Sequence, residues 1–204
     1  MYQAKAAGRN AVRFFLPSMQ EAAETRLRTI NELRQALPNA QLRLCYQPQF
    51  GIDHELSGFE ALLRWEHPER GLIMPGEFID MAEEAGLILS IGDWVLHEAL
   101  RQTCRWQDAF PHRALGRVAV NVSALQFRQA DFAERVEEAL ASTAADPRLL
   151  TLEMTESILL EDLDDTVAKI RHLKALGVRF AIDDFGTGYS SLAYLKKLPV
   201  DEIK

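Results

Sequence analysis

Three apolar stretches that read as buried strands begin near Val118, Leu150 and Phe180, about 30 residues apart, with helical patterns between them. Strands that alternate with helices pair in parallel, because parallel neighbours need a crossover long enough to carry a helix. Upstream, "LRLCYQPQF" (42–50) and "GFEALLRW" (58–65) are two strands joined by a turn around Gly51 to Asp53, and "VDEIK" (200–204) opens another. Helices are expected from Pro75 to Ala85, with Gly86 as the cap, and from Ser90, with Ile91, Val95, Leu96, Ala99 and Leu100 turned inward. Two more are expected over Phe132 to Leu140 and Thr166 to Leu176. This α/β period is that of a TIM-like (β/α)₈ barrel, of which residues 42–204 supply about two thirds. The sequence therefore predicts a barrel cut off after about its sixth strand.

Residues 39–204 form this unit. Before it, residues 18–38 read as a linker or first helix: Ser18 and Glu21 have capping-box spacing, Leu27, Ile30, Leu33 and Leu37 form one stripe, and Pro38 ends the run. Residues 1–17 are too few to bury their own apolar side chains and read as the end of a preceding domain. With 48% hydrophobic and 26% charged residues, the 204-residue chain has the profile of an ordinary soluble domain. Its net charge of −7, with Lys and Arg scattered, gives no footprint for DNA or RNA. No apolar run approaches the roughly 18 residues of a membrane span. Cys45 and Cys104 are expected as buried free thiols, which together with the missing leader suggests a cytoplasmic setting.

Side chains alternate across a strand, so each strand divides into two faces. Val118, Val120 and Val122 oppose Ala119, Asn121 and Ser123; Leu150, Leu152 and Met154 oppose Thr151, Glu153 and Thr155; Phe180 and Ile182 oppose Ala181 and Asp183. The apolar face suits the layer under the helices, and the small or polar face suits the barrel interior. Glu60, Leu62 and Arg64 share a face on the second strand, so Glu60 can join Asn121, Glu153, Asp183 and Asp184 at the strand ends where such barrels keep their sites. These are hard oxygen donors without His or Cys, a set that favours Mg²⁺, Mn²⁺ or Ca²⁺ over zinc. Two such ions about 3.5–4 Å apart assist in-line attack on phosphate esters. Any one of these residues alone is more often a helix cap or a polar or ion-pair partner; four acids and an amide together at strand ends argue for a site.

The stretches "EALLRW" (60–65), "NVSALQF" (121–127), "LEMTES" (152–157) and "DDFGTGYSSLAYLKKLPVDEIK" (183–204) resemble the EAL domain family of cyclic di-GMP phosphodiesterases, as do "YQPQF" (46–50) and "PGEFIDMAEEAGLI" (75–88). The resemblance implies hydrolysis of cyclic di-GMP to linear pGpG with two Mg²⁺ or Mn²⁺ ions. It implies metal ligands at Glu60, Asn121, Glu153, Asp183 and Asp184, and catalytic roles for Lys204, Asp184 and Glu60. Gln47, Leu63 and Arg64 would contact the substrate, and Glu156 would brace the 185–190 loop. "MYQAKAAGRNAVRFF" (1–15) resembles the end of a GGDEF diguanylate cyclase domain, which would place such a domain in cis. A homodimer contact is expected around the loop after Asp184. Non-catalytic cyclic di-GMP binding and an allosteric or dimerisation role stay open as alternatives. A Mg²⁺-dependent lyase on a similar barrel fits less well with Asp183–Asp184 and FGTGYSS. The five histidines are assigned to turns, packing or surface, and Trp65, Trp94 and Trp106 to the core.

Overall fold

The computed structural model describes residues 17–51, 53–113, 115–155, 158, 163–183 and 198–204. Helix α1 (Pro17–Ala36) leads into an antiparallel pair, β1 (Leu42–Phe50) and β2 (Leu56–His67), and a short strand β3 (Gly71–Ile73) folds back on β2. A 3-10 turn, Pro75–Glu77, precedes α2 (Ile79–Glu84) and α3 (Leu87–Ala109). Then come β4 (Arg117–Val122), α4 (Ala124–Phe127), α5 (Phe132–Thr143), β5 (Leu150–Thr155), α6 (Leu163–Leu176), β6 (Arg179–Asp183) and β7 (Glu202–Ile203). The sheet runs β1-β2-β4-β5-β6-β7 with β3 on the side of β2, and every pairing from β2–β4 onward is parallel. Six staves of a TIM-like barrel are thus present, open between β1 and β7 among the described residues.

The two-face reading of the strands describes this sheet. Val118, Val120, Val122, Leu150, Leu152, Met154, Phe180 and Ile182 all belong to one apolar cluster with the helices. Ala119 and Ala181 are equally buried but lie outside that cluster, on the inner face. On β2 the helix-side residues are Ala61, Leu63 and Trp65; Trp65 is fully buried, edge-on to Phe78 at 5.7 Å, with its indole N–H donating to Gln41 Oε1 at 3.1 Å. Trp94 and Trp106 are only half-buried; Trp106 packs edge-on to Tyr46 at 4.8 Å.

Several expectations shift. The helix expected from Ser90 begins three residues earlier, at Leu87, because Gly86 adopts φ +70° and turns the chain directly from α2 into α3. The stripe on α1 is buried only toward its C-terminal end: Leu33 is 1% exposed, whereas Leu27 is 63% exposed, since the barrel reaches only the second half of the helix. Polar contacts tie that half down, His67 to Glu32 at 3.4 Å and Arg70 Nη1 donating to Thr29 Oγ1 at 3.4 Å, with Arg26 paired to Glu84. The side chain of Ser18 lies outside the described residues, and the cap read there with it. Cys45 and Cys104 are free but half-buried rather than buried; the Cys104 thiol donates to the Thr143 carbonyl, and burial, with Asp108 nearby, raises its pKa.

Where β2 meets β4, two glycines let the backbones touch. A Cβ on Gly58 would sit 2.2 Å from the Arg117 carbonyl oxygen, and one on Gly116, at φ +77°, would sit 2.0 Å from that of Ser57. This junction sets the register that brings Glu60 level with Ala119. Gly116→Ala is therefore expected to lower stability by about 1–3 kcal/mol more than Gly71→Ala. Gly71 has the same sign of φ but nothing within 4 Å. Urea midpoints of the two variants check this; equal losses would mean that the close approach costs nothing.

Candidate functional site

The inner face carries the polar residues. In β4 and β5, Asn121 stands opposite Glu153, and in β5 and β6 Glu153 stands opposite Ala181 and Thr155 opposite Asp183. Asn121 Nδ2 donates to Glu60 Oε1 at 2.8 Å, so the amide links β4 to β2 across the barrel interior. Lys204 follows β7, its backbone N–H donating to the Ile182 carbonyl at 2.8 Å, and its ammonium is ion-paired to Glu153 Oε1. The structure thus brings Glu60, Asn121, Glu153 and Lys204 together from four strands.

Glu153 is the centre of the group. It is 1% exposed, and its Oε1 accepts from Lys204 and, at 3.5 Å, from Gln49 Nε2. Its Oε2 is fully buried with no hydrogen-bond partner among the described residues. Burial pushes the carboxyl pKa up, the Lys204 hydrogen bond and charge pull it back, and the neighbouring Glu60 raises it again. For Lys204 burial opposes the charge, but Glu153, with Glu60 and Glu202 behind it, raises its pKa on balance. A buried carboxylate oxygen without a partner is costly, and a cation is the simplest thing to meet it.

Glu60, Asn121 and Glu153 suit a hard divalent ion, since all offer oxygen and one offers an unused buried oxygen. Among the described residues no three His, Cys, Asp or Glu side chains gather closely enough to hold a metal by themselves. What is assembled is two carboxylates and an amide. Asp183 ends the described part of β6, partly exposed. Asp184 and Glu156 lie outside the described residues, as does the expected dimer loop.

The expected substrate contacts divide between the faces. Gln47, on β1, is exposed and in register with Glu60. Arg64 is half-buried and donates Nη1 to the Leu63 carbonyl at 2.8 Å; among the described residues no carboxylate pairs with it. The Leu63 side chain faces the helices at 9% exposure, opposite in direction to Glu60, so only its backbone could face the interior. Gln49 is the member that sequence reasoning missed. It lies two residues from Gln47, on the same face, and that period was the available signal.

A cavity of about 580 Å³ reaches Glu153 and Lys204 from the N-terminal ends of the strands, past Gln49, Arg117, Thr151 and Arg179. Another, of about 440 Å³, lies among Phe59, Trp106, Arg113 and Arg148 and touches none of the candidate residues. No described helix is long and apolar enough to cross a membrane.

Comparison with known proteins puts this geometry in context. The family model of the EAL domain matches residues 30–204. The bifunctional diguanylate cyclase/cyclic di-GMP phosphodiesterase MucR of Pseudomonas aeruginosa is 49% identical over 205 residues, covering 100% of this chain and 30% of MucR. The cyclic di-GMP phosphodiesterase NbdA of the same organism is 43% identical over 205 residues, covering 100% of this chain and 26% of NbdA. The solved structure of the PaMucR phosphodiesterase in complex with c-di-GMP superposes with a TM-score of 0.81 at 48% identity, over 86% of this chain and 71% of that one. The chain spans about 30% or less of the length of these curated relatives.

The unpartnered oxygen makes a prediction that needs no turnover. Glu153→Gln removes a buried charge but leaves the Lys204 ammonium without its partner, so without metal the variant is expected to melt somewhat lower than the parent. The rise in melting temperature that millimolar Mn²⁺ gives the parent should shrink by more than about half, since only ions bound to the folded state stabilise it. An undiminished rise would exclude Glu153 as a ligand.

Proposed function

The chain belongs to the EAL domain family, and from that premise we propose that the protein of which it is part hydrolyses cyclic di-GMP to linear pGpG with the inner face of this barrel as its active site. The observation that carries this reading is the meeting of Glu60, Asn121, Glu153 and Lys204, with a buried carboxylate oxygen left over. Glu60, Asn121, Glu153, Asp183 and Asp184 would hold two ions, Mg²⁺ or Mn²⁺, with Glu60 and Asp184 taking catalytic roles as well. Divalent ions bound there supply Lewis-acid polarisation of the phosphate and a bound water acidic enough to attack at neutral pH.

The chain's own groups do the rest. Among the described residues Arg64 has donors beyond the one spent on Leu63, in the planar fork that suits a phosphate, and Gln47 lies on the neighbouring strand opposite Glu60. The Leu63 backbone would line the same subsite. Water adds to phosphorus, the bond to one 3′ oxygen breaks, and that oxygen leaves with a proton; the phosphate stays on the 5′ side, which is pGpG. Lys204 would stabilise the charge that builds on the phosphate oxygens, and Glu156 would brace the loop that carries Asp184.

The MucR name, which pairs a cyclase with a phosphodiesterase, supports reading residues 1–17 as the end of a GGDEF-like domain in cis, 18–38 as a linker helix and 39–204 as the EAL domain. A cytoplasmic location and a homodimer formed near the loop after Asp184 complete the proposal.

Product chromatography tests it. The full-length protein, incubated with cyclic di-GMP and Mg²⁺ or Mn²⁺, should yield pGpG. A chelator or Asp183→Asn should remove at least about 99% of the rate. Arg64→Ala should act mainly on KM, raising it about tenfold or more, as the loss of a charged hydrogen bond does. Tight binding without product would mean a receptor, and neither binding nor product would end the cyclic di-GMP reading.

A further inference from the structure

Lys204 can act on phosphate only if something keeps it at Glu153. Among the described residues it follows β7, where Glu202 and Ile203 are both exposed and pair with β6. A slip of one residue in that pairing would turn Lys204 to the helix side.

The register is held from outside the barrel. Lys174, near the C-terminal end of α6, donates its ammonium to the Pro199 carbonyl at 2.8 Å and to Asp201 Oδ1 at 2.6 Å. The other oxygen of Asp201, Oδ2, accepts the backbone N–H of Phe180 at 2.9 Å, and the Asp201 N–H donates to the Phe180 carbonyl at 2.9 Å. Asp201 thereby engages both backbone groups of one β6 residue and locks the chain one residue before β7 begins. From there Glu202 falls opposite Ala181, Ile203 opposite Ile182, and Lys204 on the inner face at Glu153. Asp201 stays an anion: burial opposes its charge, but Lys174 and the Phe180 N–H hold its carboxyl below the usual range.

We propose that Lys174 and Asp201 are a positioning pair for the reaction: their ion pair and the Phe180 bonds set the register of β7 and so hold the Lys204 ammonium over the metal-ligand group. The inference rests on the catalytic role given to Lys204 above.

The test uses the full-length protein with Asp201→Asn and Lys174→Met, each alone and combined with Lys204→Met. Asp201→Asn keeps an acceptor for the Phe180 N–H, and Lys174→Met leaves Asp201 itself intact, so either variant serves if the other fails to fold. With Lys204 present, each should lower kcat about ten- to a hundredfold while KM moves less than about threefold. With Lys204→Met already in place, the further loss should be under about twofold, the mark of a residue acting through another. Lys174→Arg should restore most of kcat. Amine acetylation followed by peptide mass spectrometry should show Lys204 at least about threefold more reactive in both single variants.

Equal losses in both backgrounds, or unchanged Lys204 labelling in a folded variant, would overturn the pair's role. A parent protein that binds cyclic di-GMP without cleaving it would instead sink the phosphodiesterase reading, and the labelling arm would still decide whether Lys174 and Asp201 position Lys204.

Discussion

The rest of the site depends on a carboxylate that has been taken out of water. Glu153 lies 1% exposed in the middle of a parallel sheet, where an uncompensated charge would cost several kcal/mol. It is tolerated because Lys204 and Gln49 both donate to one of its oxygens. The compensation is incomplete, since the second oxygen has no partner among the described residues. A chain evolving for stability alone would put an apolar residue there, as it does at Ala119 and Ala181 on the same face. An incompletely satisfied buried acid is better explained by a ligand that completes it.

The strand period turns that local problem into an architecture. Because successive side chains point to opposite faces, one strand can serve the helix-side core with Leu150, Leu152 and Met154 while offering Glu153 to the interior. Parallel pairing then stacks equivalent positions, Asn121 beside Glu153 beside Ala181. Small residues at 119 and 181 leave room for the long acids between them. The two tasks never compete for a position, so the apolar cluster stays continuous although the interior is charged.

That separation explains which parts were legible in the sequence. The strands, the two faces and the placement of Asn121 and Glu153 follow from alternation, a local rule that tertiary context does not override when both faces are strongly patterned, whereas Lys204 was reached only through the family resemblance. Helix starts were less legible: Ser90 looked like a cap, but Gly86, with its positive φ, starts the helix at Leu87. Leu27 fits the apolar stripe of α1 perfectly well and is still exposed, because periodicity says which face is apolar and not how far the partner extends. Gln49 was missed for another reason. Its role is a contact to a residue 104 positions away, and the two-residue period from Gln47 gives its face but not that partner. Asp184 and Glu156 fall outside the described residues, so for them the motif remains the whole argument.

Two ion pairs then divide the labour around β7. Lys204 with Glu153 lies on the inner face, where charge would serve the proposed reaction; Lys174 with Asp201 lies on the helix side, where charge would serve register. The outer pair can afford to be simple because the Phe180 backbone groups supply its directionality, and an ion pair by itself has little. The inner pair needs the opposite property, a lysine held loosely enough by one carboxylate oxygen to turn toward a phosphate. A lysine suits that better than an arginine would, since an ammonium makes no planar fork that locks both oxygens of its partner. Placing rigidity outside and freedom inside would let β7 carry the Lys204 ammonium to the inner face of the barrel in the proposed reaction.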